Sequence, residues 1–475
     1  MLRNAFTYLV AHGVPAVLGF SAIVLFTRLL SPEQYGYYVV AMSLAGIVNA
    51  VLFAWVRLSI LRYQSEGKGT DIRMSALAGY GLSAALSPLI LLGFMLLTDS
   101  PPEQLLFASL VALAMGLFEF GQETLRAEQQ ARPYMRISML RSVLTFSLSL
   151  LFVWLGWGGL GLLAGIGCAY LFSFIVSSPV VWRRPVRKFD GATFRRMLVF
   201  GAPMALSGAV FSLHGALDRL IVVHFLGEAT AGRYGASADM VRQIVLLPAM
   251  AIGAGMVPAV IRSLSEEGEA KANSNLELTF EMLMAVLVPS VIGLALVAPA
   301  FSSVMLGPEF REVAAMLIPI LAFAWLFQAL THQYIHASFH LAGKARFLLL
   351  QGIIILAANV LASIALIPRF GLQGAAWALV IAEVAGVLAG FFLAGKAYPL
   401  PRVDSRIVRV LAAGAAMALP TYMVRGLFGN PVADLAVSVM VGVVSYAVAA
   451  LVLDLVGVRT ALMRRLNVPQ PDAAG

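Results

Sequence analysis

The sequence predicts an all-α polytopic membrane protein of about fourteen transmembrane helices, built as two six-helix repeats plus two C-terminal helices. Three observations predict it. Of 475 residues, 60% are hydrophobic and 12% are charged, against roughly 45–50% apolar and about 25% charged in a soluble domain. The apolar residues fall in runs close to the ~20 residues that a spanning helix needs. Lys and Arg collect in alternate breaks between those runs. Lipid offers backbone groups no partner, so long continuous runs select helices.

In order, the spans are predicted at 6–27, 35–56, 74–98, 104–125, 137–155 and 159–182, then 197–225, 231–257, 276–299, 313–339, 347–367 and 373–394, with a last pair at 408–428 and 433–453. The first run, Phe6 to Thr27, is longer than a signal-peptide core and reads as a span. With the N-terminus in the cytoplasm, the inner segments (Arg3, 57–73, 126–141, 183–196, 262–275, 340–346, 396–409 and 459–465) hold 26 Lys and Arg. The other side holds 6: Arg28, Arg219, Arg233, Arg311, Arg369 and Arg425. That bias places both termini in the cytoplasm. The net charge of +9 belongs to these inner breaks, so a nucleic-acid partner is rejected. Cys168 is the sole cysteine, which excludes an intramolecular disulfide. The outer loops, such as Asp99-Ser-Pro-Pro-Glu103 and Arg369-Phe-Gly-Leu372, are too short for an extramembranous active site.

The first twelve spans repeat. Helix 1 has Pro15 and ends Thr27-Arg28-Leu29 before a turn Pro32-Glu33-Gln34-Tyr35-Gly36; helix 7 has Pro203 and ends Asp218-Arg219-Leu220 before Gly227-Glu228 and Gly232-Arg233-Tyr234-Gly235. The exits Arg62–Gly67 and Arg262–Gly268, and the turns Gly158–Gly161 and Gly371–Gly374, follow in the same order. Six spans per half is an even number, so both halves start on the same side, as in parallel-repeat transporters. The expected divisions are 1–196 and 197–400 for the two bundles and 401–475 for two additional helices and a cytoplasmic tail.

At Arg28-Leu-Leu-Ser-Pro-Glu-Gln-Tyr-Gly-Tyr37, at the exit loop Arg62–Lys68, and at Ile367-Pro-Arg-Phe-Gly-Leu-Gln-Gly-Ala-Ala376, the chain resembles the Wzx-type polysaccharide flippases of the multidrug/oligosaccharidyl-lipid/polysaccharide exporter superfamily. The resemblance covers roughly residues 1–400. It implies two six-helix bundles facing a central cavity lined by helices 1, 2, 7 and 8, alternating access, and a polyprenyl-pyrophosphate-linked oligosaccharide carried from the cytoplasmic to the outer face of the inner membrane. It implies membrane lipids, a polysaccharide polymerase and a chain-length regulator as partners, no cofactor and no enzymatic activity. Helix 1 lacks the basic cluster expected of the lipid II flippase branch.

Ionisable groups within spans are functional candidates by default. Asp239 and Arg242 lie about 12 and 16 Å into helix 8, counted at 1.5 Å per residue, and their i, i+3 spacing permits a pair. Arg242 is the candidate for pyrophosphate, with Asp239 tuning it; the alternative is a self-neutralised brace. Arg28 and Arg219, with Asp218 beside the second, either receive phosphate or snorkel to headgroups. Glu119 and Glu123 share one face of helix 4, as a proton- or cation-coupling pair or as partners of Arg126. Glu383 is an isolated carboxylate in helix 12. His332, His336 and His340 extend too far along helix 10 to share one metal ion, and read as a polar packing seam. The competing functions are a cation-coupled multidrug exporter of the same superfamily and a membrane glycosyltransferase or polymerase.

Overall fold

The computed structural model describes residues 2–65, 71–97, 101–183, 188–401 and 406–465. Glu66 to Lys68 of the exit loop, Asp99 and Ser100, and Arg184 to Arg187 of the basic inner loop lie outside these. The described residues are helical, without strands. We number the helices α1 (Leu2–Leu29), α2 (Pro32–Tyr63), α3 (Arg73–Leu97), α4 (Pro102–Ala127), α5 (Ala131–Phe152), α6 (Gly158–Val181), α7 (Gly191–Leu226), α8 (Glu228–Glu266), α9 (Glu269–Met305), α10 (Pro308–Leu341), α11 (345–370), α12 (372–396), α13 (Arg406–Val424) and α14 (Pro431–Val452). A short helix, Val458–Arg465, follows.

Ten helical runs among the described residues are long and apolar enough to cross a membrane. Two of them, 51 and 52 residues long, are hairpins. In the first, Gly156 and Gly158 have φ of 89° and 55°; the chain doubles back so that a Cβ on Gly165 would overlap Ser149, and the Ser149 hydroxyl donates to the Leu162 carbonyl at 3.3 Å. In the second, Gly371 sits at φ 56°, ψ −133°, a region open essentially to glycine alone. A Cβ on Gly374 would overlap the Leu366 carbonyl, which eight residues of straight helix would hold ~12 Å away.

The segment read as a turn at Pro32–Gly36 is instead the start of α2. Ser31 is its N-cap: the Gln34 backbone N–H donates to the Ser31 hydroxyl and the Ser31 N–H donates to the Gln34 side chain, both at 3.3 Å, with Pro32 leading the helix. This is a capping box with proline at the first helical position. At Asn49–Phe53 the helix widens into a π turn. The Leu52 carbonyl accepts from the Ser83 hydroxyl, which in turn accepts from the Trp55 indole N–H at 3.1 Å.

Contacts divide the chain into two compact units, Met1–Ala236 with Asn359–Ala375, and Ser237–Ala358 with Ala376–Gly475. Lipid supplies no hydrophobic drive between helices, so small residues and interhelical hydrogen bonds hold them. In the first unit a Cβ on Gly159, at the start of α6, would overlap the Gln34 carbonyl, and one on Gly201 of α7 would overlap the Trp55 carbonyl. The beginnings of α2, α4, α6 and α8 meet at one end: Gln104 of α4 bonds Tyr37 and Glu228, and Gly36 abuts Gly232. At the opposite end, Gln64 donates to Glu128 at 3.2 Å, Arg73 donates to the Val181 carbonyl at 2.5 Å, and Ser59 donates to the Met197 carbonyl at 3.0 Å. Helices α2 and α8 therefore run in the same direction where they touch, as parallel repeats require.

In the second unit α13 and α14 dock on α9. A Cβ on Gly414 would stand 2.9 Å from Val288, Tyr446 donates to the Ala285 carbonyl at 2.6 Å, and Arg406 lies 3.5 and 3.7 Å from Glu277 and Glu281. Nearby, Tyr398 donates to Asn273 at 2.9 Å and Ser338 donates to the Tyr398 carbonyl at 2.6 Å, joining the end of α10 to the start of α9.

Candidate functional site

Among the described residues, the ionisable candidates of the sequence fall in three groups within the helices. The largest, in the first unit, gathers α2, α4, α5 and α6. Arg57 of α2 reaches Glu119 of α4 at 2.9 Å, both half-buried. Glu123, one turn on, lies 3.7 Å from Arg126. Beside them the Arg141 guanidinium of α5 sits 5.4 Å from the Phe118 ring and 5.2 Å from the Tyr170 ring, and reaches the Tyr170 hydroxyl at 3.5 Å. Both atoms of the buried Gln122 amide, and one carboxylate oxygen each of Glu119 and Glu123, are buried without a hydrogen-bond partner. The group thus holds cations, anions and unused hydrogen-bonding capacity together. Counted from Tyr63 at 1.5 Å per residue, Arg57 stands about 9 Å inside the end of α2.

Sequence reasoning paired Glu119 and Glu123 with Arg126 or with a coupling ion. The structure gives Glu123 to Arg126 and Glu119 to Arg57. Arg57 and Arg141 belong to the inner loops by hydropathy, whereas both lie inside helices. The signal that was there to use is that Arg57 follows the apolar run without a break in helix-forming residues.

The second group joins α7 to α8. Asp218 is buried at 5% exposure, accepts from the Tyr234 hydroxyl at 3.1 Å and accepts from the Arg219 backbone N–H at 2.8 Å. His214, one turn before it, is also buried. Asp218 is thereby held by hydrogen bonds inside the protein, while Arg219 is half-buried and Arg28, its repeat equivalent, is exposed. Thr27, the equivalent of Asp218, donates to the Ile23 carbonyl of its own helix at 2.9 Å.

The third group lies in the second unit. Asp239 is half-buried and Arg242 exposed, and the Arg242 guanidinium stands 5.7 Å from the ring centre of Trp325 on α10. Trp325 is 6% exposed, and its indole N–H has no acceptor. One turn along α10, Gln328 donates to Glu383 of α12 at 2.9 Å. Further on, His336 lies 3.1 Å from the Gln351 side chain, whose nitrogen donates to the Gly386 carbonyl at 2.8 Å. The His332 and His336 rings are 4.8 Å apart, so these histidines pack in a polar seam between α10, α11 and α12.

Residues 25–315 match a family described as polysaccharide biosynthesis protein. The chain belongs to that family. A relative described as "Putative O-antigen transporter", from Shigella flexneri, is 23% identical over 350 residues, covering 70% of this chain and 82% of that one. Among solved structures, the lipid II flippase MurJ in an inward closed conformation is similar with a TM-score of 0.78 at 16% identity, over 98% of this chain and 100% of that one. An inward-facing multidrug resistance MATE family transporter of the MOP superfamily is similar with a TM-score of 0.64 at 15% identity, over 85% and 99% of the two chains. At such identities the likeness is one of fold. This member of the polysaccharide biosynthesis family is a multi-pass membrane protein, and it shares its fold with proteins described as a flippase and a transporter.

Proposed function

We propose that this chain flips a polyprenyl-pyrophosphate-linked oligosaccharide from the cytoplasmic to the outer face of the cytoplasmic membrane, by alternating access, for surface polysaccharide assembly. The family match and the O-antigen transporter relative support the substrate class. The observation that carries the reading is Arg242: an accessible guanidinium, deep in an apolar helix, braced against the buried ring of Trp325. A guanidinium presents a planar fork that meets two phosphate oxygens at once, which a lysine does not. Asp239 is its competitor and Arg219 and Arg28 are further stations, with Asp218 fixing the backbone at Arg219. Glu119 and Glu123 form the coupling site, because each has a buried carboxylate oxygen without a hydrogen bond, beside cations within the membrane. Six helices in 1–196 and six in 197–400 make the repeats, and the fourteen crossings end with both termini in the cytoplasm.

The test is a set of variants scored for lipid-linked oligosaccharide left on the cytoplasmic face of cells. Arg242→Lys is expected to impair export nearly as much as Arg242→Ala. The double change Asp239→Asn with Arg242→Gln is expected to restore folding without export. Wild-type export by the neutral double variant would remove Arg242 from the site. Dye efflux without oligosaccharide export would return the chain to the multidrug exporters.

A further inference from the structure

Arg141 stands near the middle of α5, about 15 Å from Ala131 and about 16 Å from Phe152 at 1.5 Å per residue. A guanidinium there, in a spanning helix, calls for a countercharge. Its neighbours supply none. Glu119 is paired with Arg57 and Glu123 with Arg126, and among the described residues no carboxylate pairs with Arg141. Three guanidiniums thus face two carboxylates. The hydrogen bonds of Arg141 go to neutral hydroxyls, Ser142 at 3.3 Å and Tyr170 at 3.5 Å. Nor does it snorkel to headgroups, because it lies against the rings of Phe118 on α4 and Tyr170 on α6.

Two unpartnered polar side chains flank the same spot. Gln122, one turn beyond Phe118 on α4, is 6% exposed, and neither atom of its amide has a hydrogen-bond partner. Ser173, one turn beyond Tyr170 on α6, is fully buried, and its hydroxyl has none. Both steps run towards the same end of the unit, and the two helices touch there: a Cβ on Gly121 would stand 2.9 Å from the Ser177 hydroxyl oxygen and 3.6 Å from Phe174. Buried water can satisfy an amide and a hydroxyl, but it does not neutralise a guanidinium. The group is also absent from the other repeat. Aligning the hairpin turns at Gly158 and Gly371 sets Ile354 in the place of Arg141 and Gly386 in that of Ser173.

We propose that Arg141, Gln122 and Ser173 bind a carboxylate-bearing sugar of the glycan headgroup, a uronic acid in chemical class. The proposal rests on the transport reading above and makes the transported glycan acidic. A guanidinium fork takes both oxygens of a carboxylate. One carboxylate cancels the single excess charge, whereas a pyrophosphate would bring surplus negative charge beside Glu119 and Glu123. The Gln122 amide adds a donor, while its oxygen and the Ser173 hydroxyl accept from ring hydroxyls, which a bare carboxylate or phosphate does not offer. The site is not sealed: Arg141 is half-buried, and the adjoining Arg57 and Glu119 side chains are 34% and 24% exposed.

The test uses the purified full chain in detergent, with methyl glucuronide and methyl glucoside as probes and saturation-transfer NMR as the readout. The glucuronide is expected to bind about ten-fold more tightly than the glucoside, the discrimination due to one charge-assisted bidentate contact. Arg141→Gln removes an uncompensated charge and should fold, with a Kd for glucuronide raised about ten-fold; Arg141→Lys, which keeps the charge and loses the fork, should weaken binding nearly as much. Gln122→Leu should weaken it several-fold. Equal binding of the two probes, no glucuronide binding by the folded parent, or an unchanged Kd in Arg141→Gln overturns the proposal. Inorganic phosphate that displaces glucuronide as effectively as glucuronate does would show a simple anion site and overturn the sugar assignment. Glucuronide binding that follows this pattern, in a chain that exports no lipid-linked oligosaccharide from cells, removes the flippase reading and leaves the site. Oligosaccharide export without glucuronide binding does the reverse.

Discussion

Arg57 and Glu119 face each other at 2.9 Å with side-chain exposures of 34% and 24%, so each neutralises a charge that would be costly in lipid. Removing either one strands the other. Arg57→Gln or Glu119→Gln alone is expected to destabilise the protein by about 1–3 kcal/mol, between the values for exposed and for buried pairs, read as a lowered melting temperature in detergent. Changing both to Gln should recover most of that loss, because the orphan charge is gone. If Glu119 also carries the coupling proton, export by the double variant becomes independent of the proton gradient while folding is intact. Full gradient dependence in that variant would leave the pair a structural tie. The same comparison separates Glu119 from Glu123, whose partner Arg126 lies on its own helix.

At the scale of the helix, sequence and structure part company in an instructive way. Hydropathy found the helices and their order, including the glycine turns at 156–158 and 371 where the chain doubles back. It missed where helices end, because an apolar window measures the thickness of the lipid and α2 continues past it from Val56 to Tyr63. That overrun is what carries Arg57 to Glu119, so the error in the boundary and the missed ion pair are one error. Pro32–Gly36 looked like a turn from its proline and glycine; the Ser31 to Gln34 spacing was the better signal, since it is a capping box. Side-chain partners four helices apart, such as Gln104 with Glu228, leave no trace in local spacing. Gly371→Ala is expected to cost about 1–3 kcal/mol, since alanine does not adopt its backbone conformation without strain, and to loosen the α11–α12 hairpin. Limited proteolysis between these helices measures it, and unchanged resistance would contradict the hairpin geometry.

The start of α7 supplies a pH-dependent case. Asp190 caps it, accepting from the Thr193 hydroxyl at 2.5 Å and from the backbone N–H groups of Thr193 and Ala192 at 2.9 and 3.2 Å. Those bonds, the Thr193 hydroxyl first, hold its carboxyl below the usual aspartate value. A depressed folded value means that the cap stabilises the protein above the unfolded pKa of about 3.9 and loses that contribution as the pH falls through the lower, folded value. Asp190→Asn keeps an acceptor without the charge. It should flatten the acid limb of a melting-temperature profile below about pH 4, and leave its slope near neutrality unchanged. A variant with the parent's acid limb would show that other carboxylates set it.

For the whole molecule, the geometry at the two ends of the first unit bears on topology. The starts of α2, α4, α6 and α8 share one end through Gln34, Gln104 and Gly232, while the end of α4, the end of α6 and the starts of α3 and α7 share the other through Glu128, Val181, Arg73 and Met197. Successive helices therefore alternate in direction. The inner segments that join these helices (Arg3, 57–73, 126–141 and 183–196) hold 15 Lys and Arg, so the positive-inside rule assigns the second end of this unit to the cytoplasm. Reporter fusions after Gly67, Lys188, Lys271 and Arg465 are expected to report the cytoplasm, and fusions after Asp99, Gly158, Pro308 and Asn430 the opposite side. Alternation and charge are independent, which is what makes the experiment informative. If all eight fusions reverse together, the charge rule has misassigned the membrane sides and the helix order survives. If only those beyond residue 226 reverse, α8 would have to enter from the other face, against its parallel contact with α2 through Gly36 and Gly232, and the parallel repeat itself would be wrong.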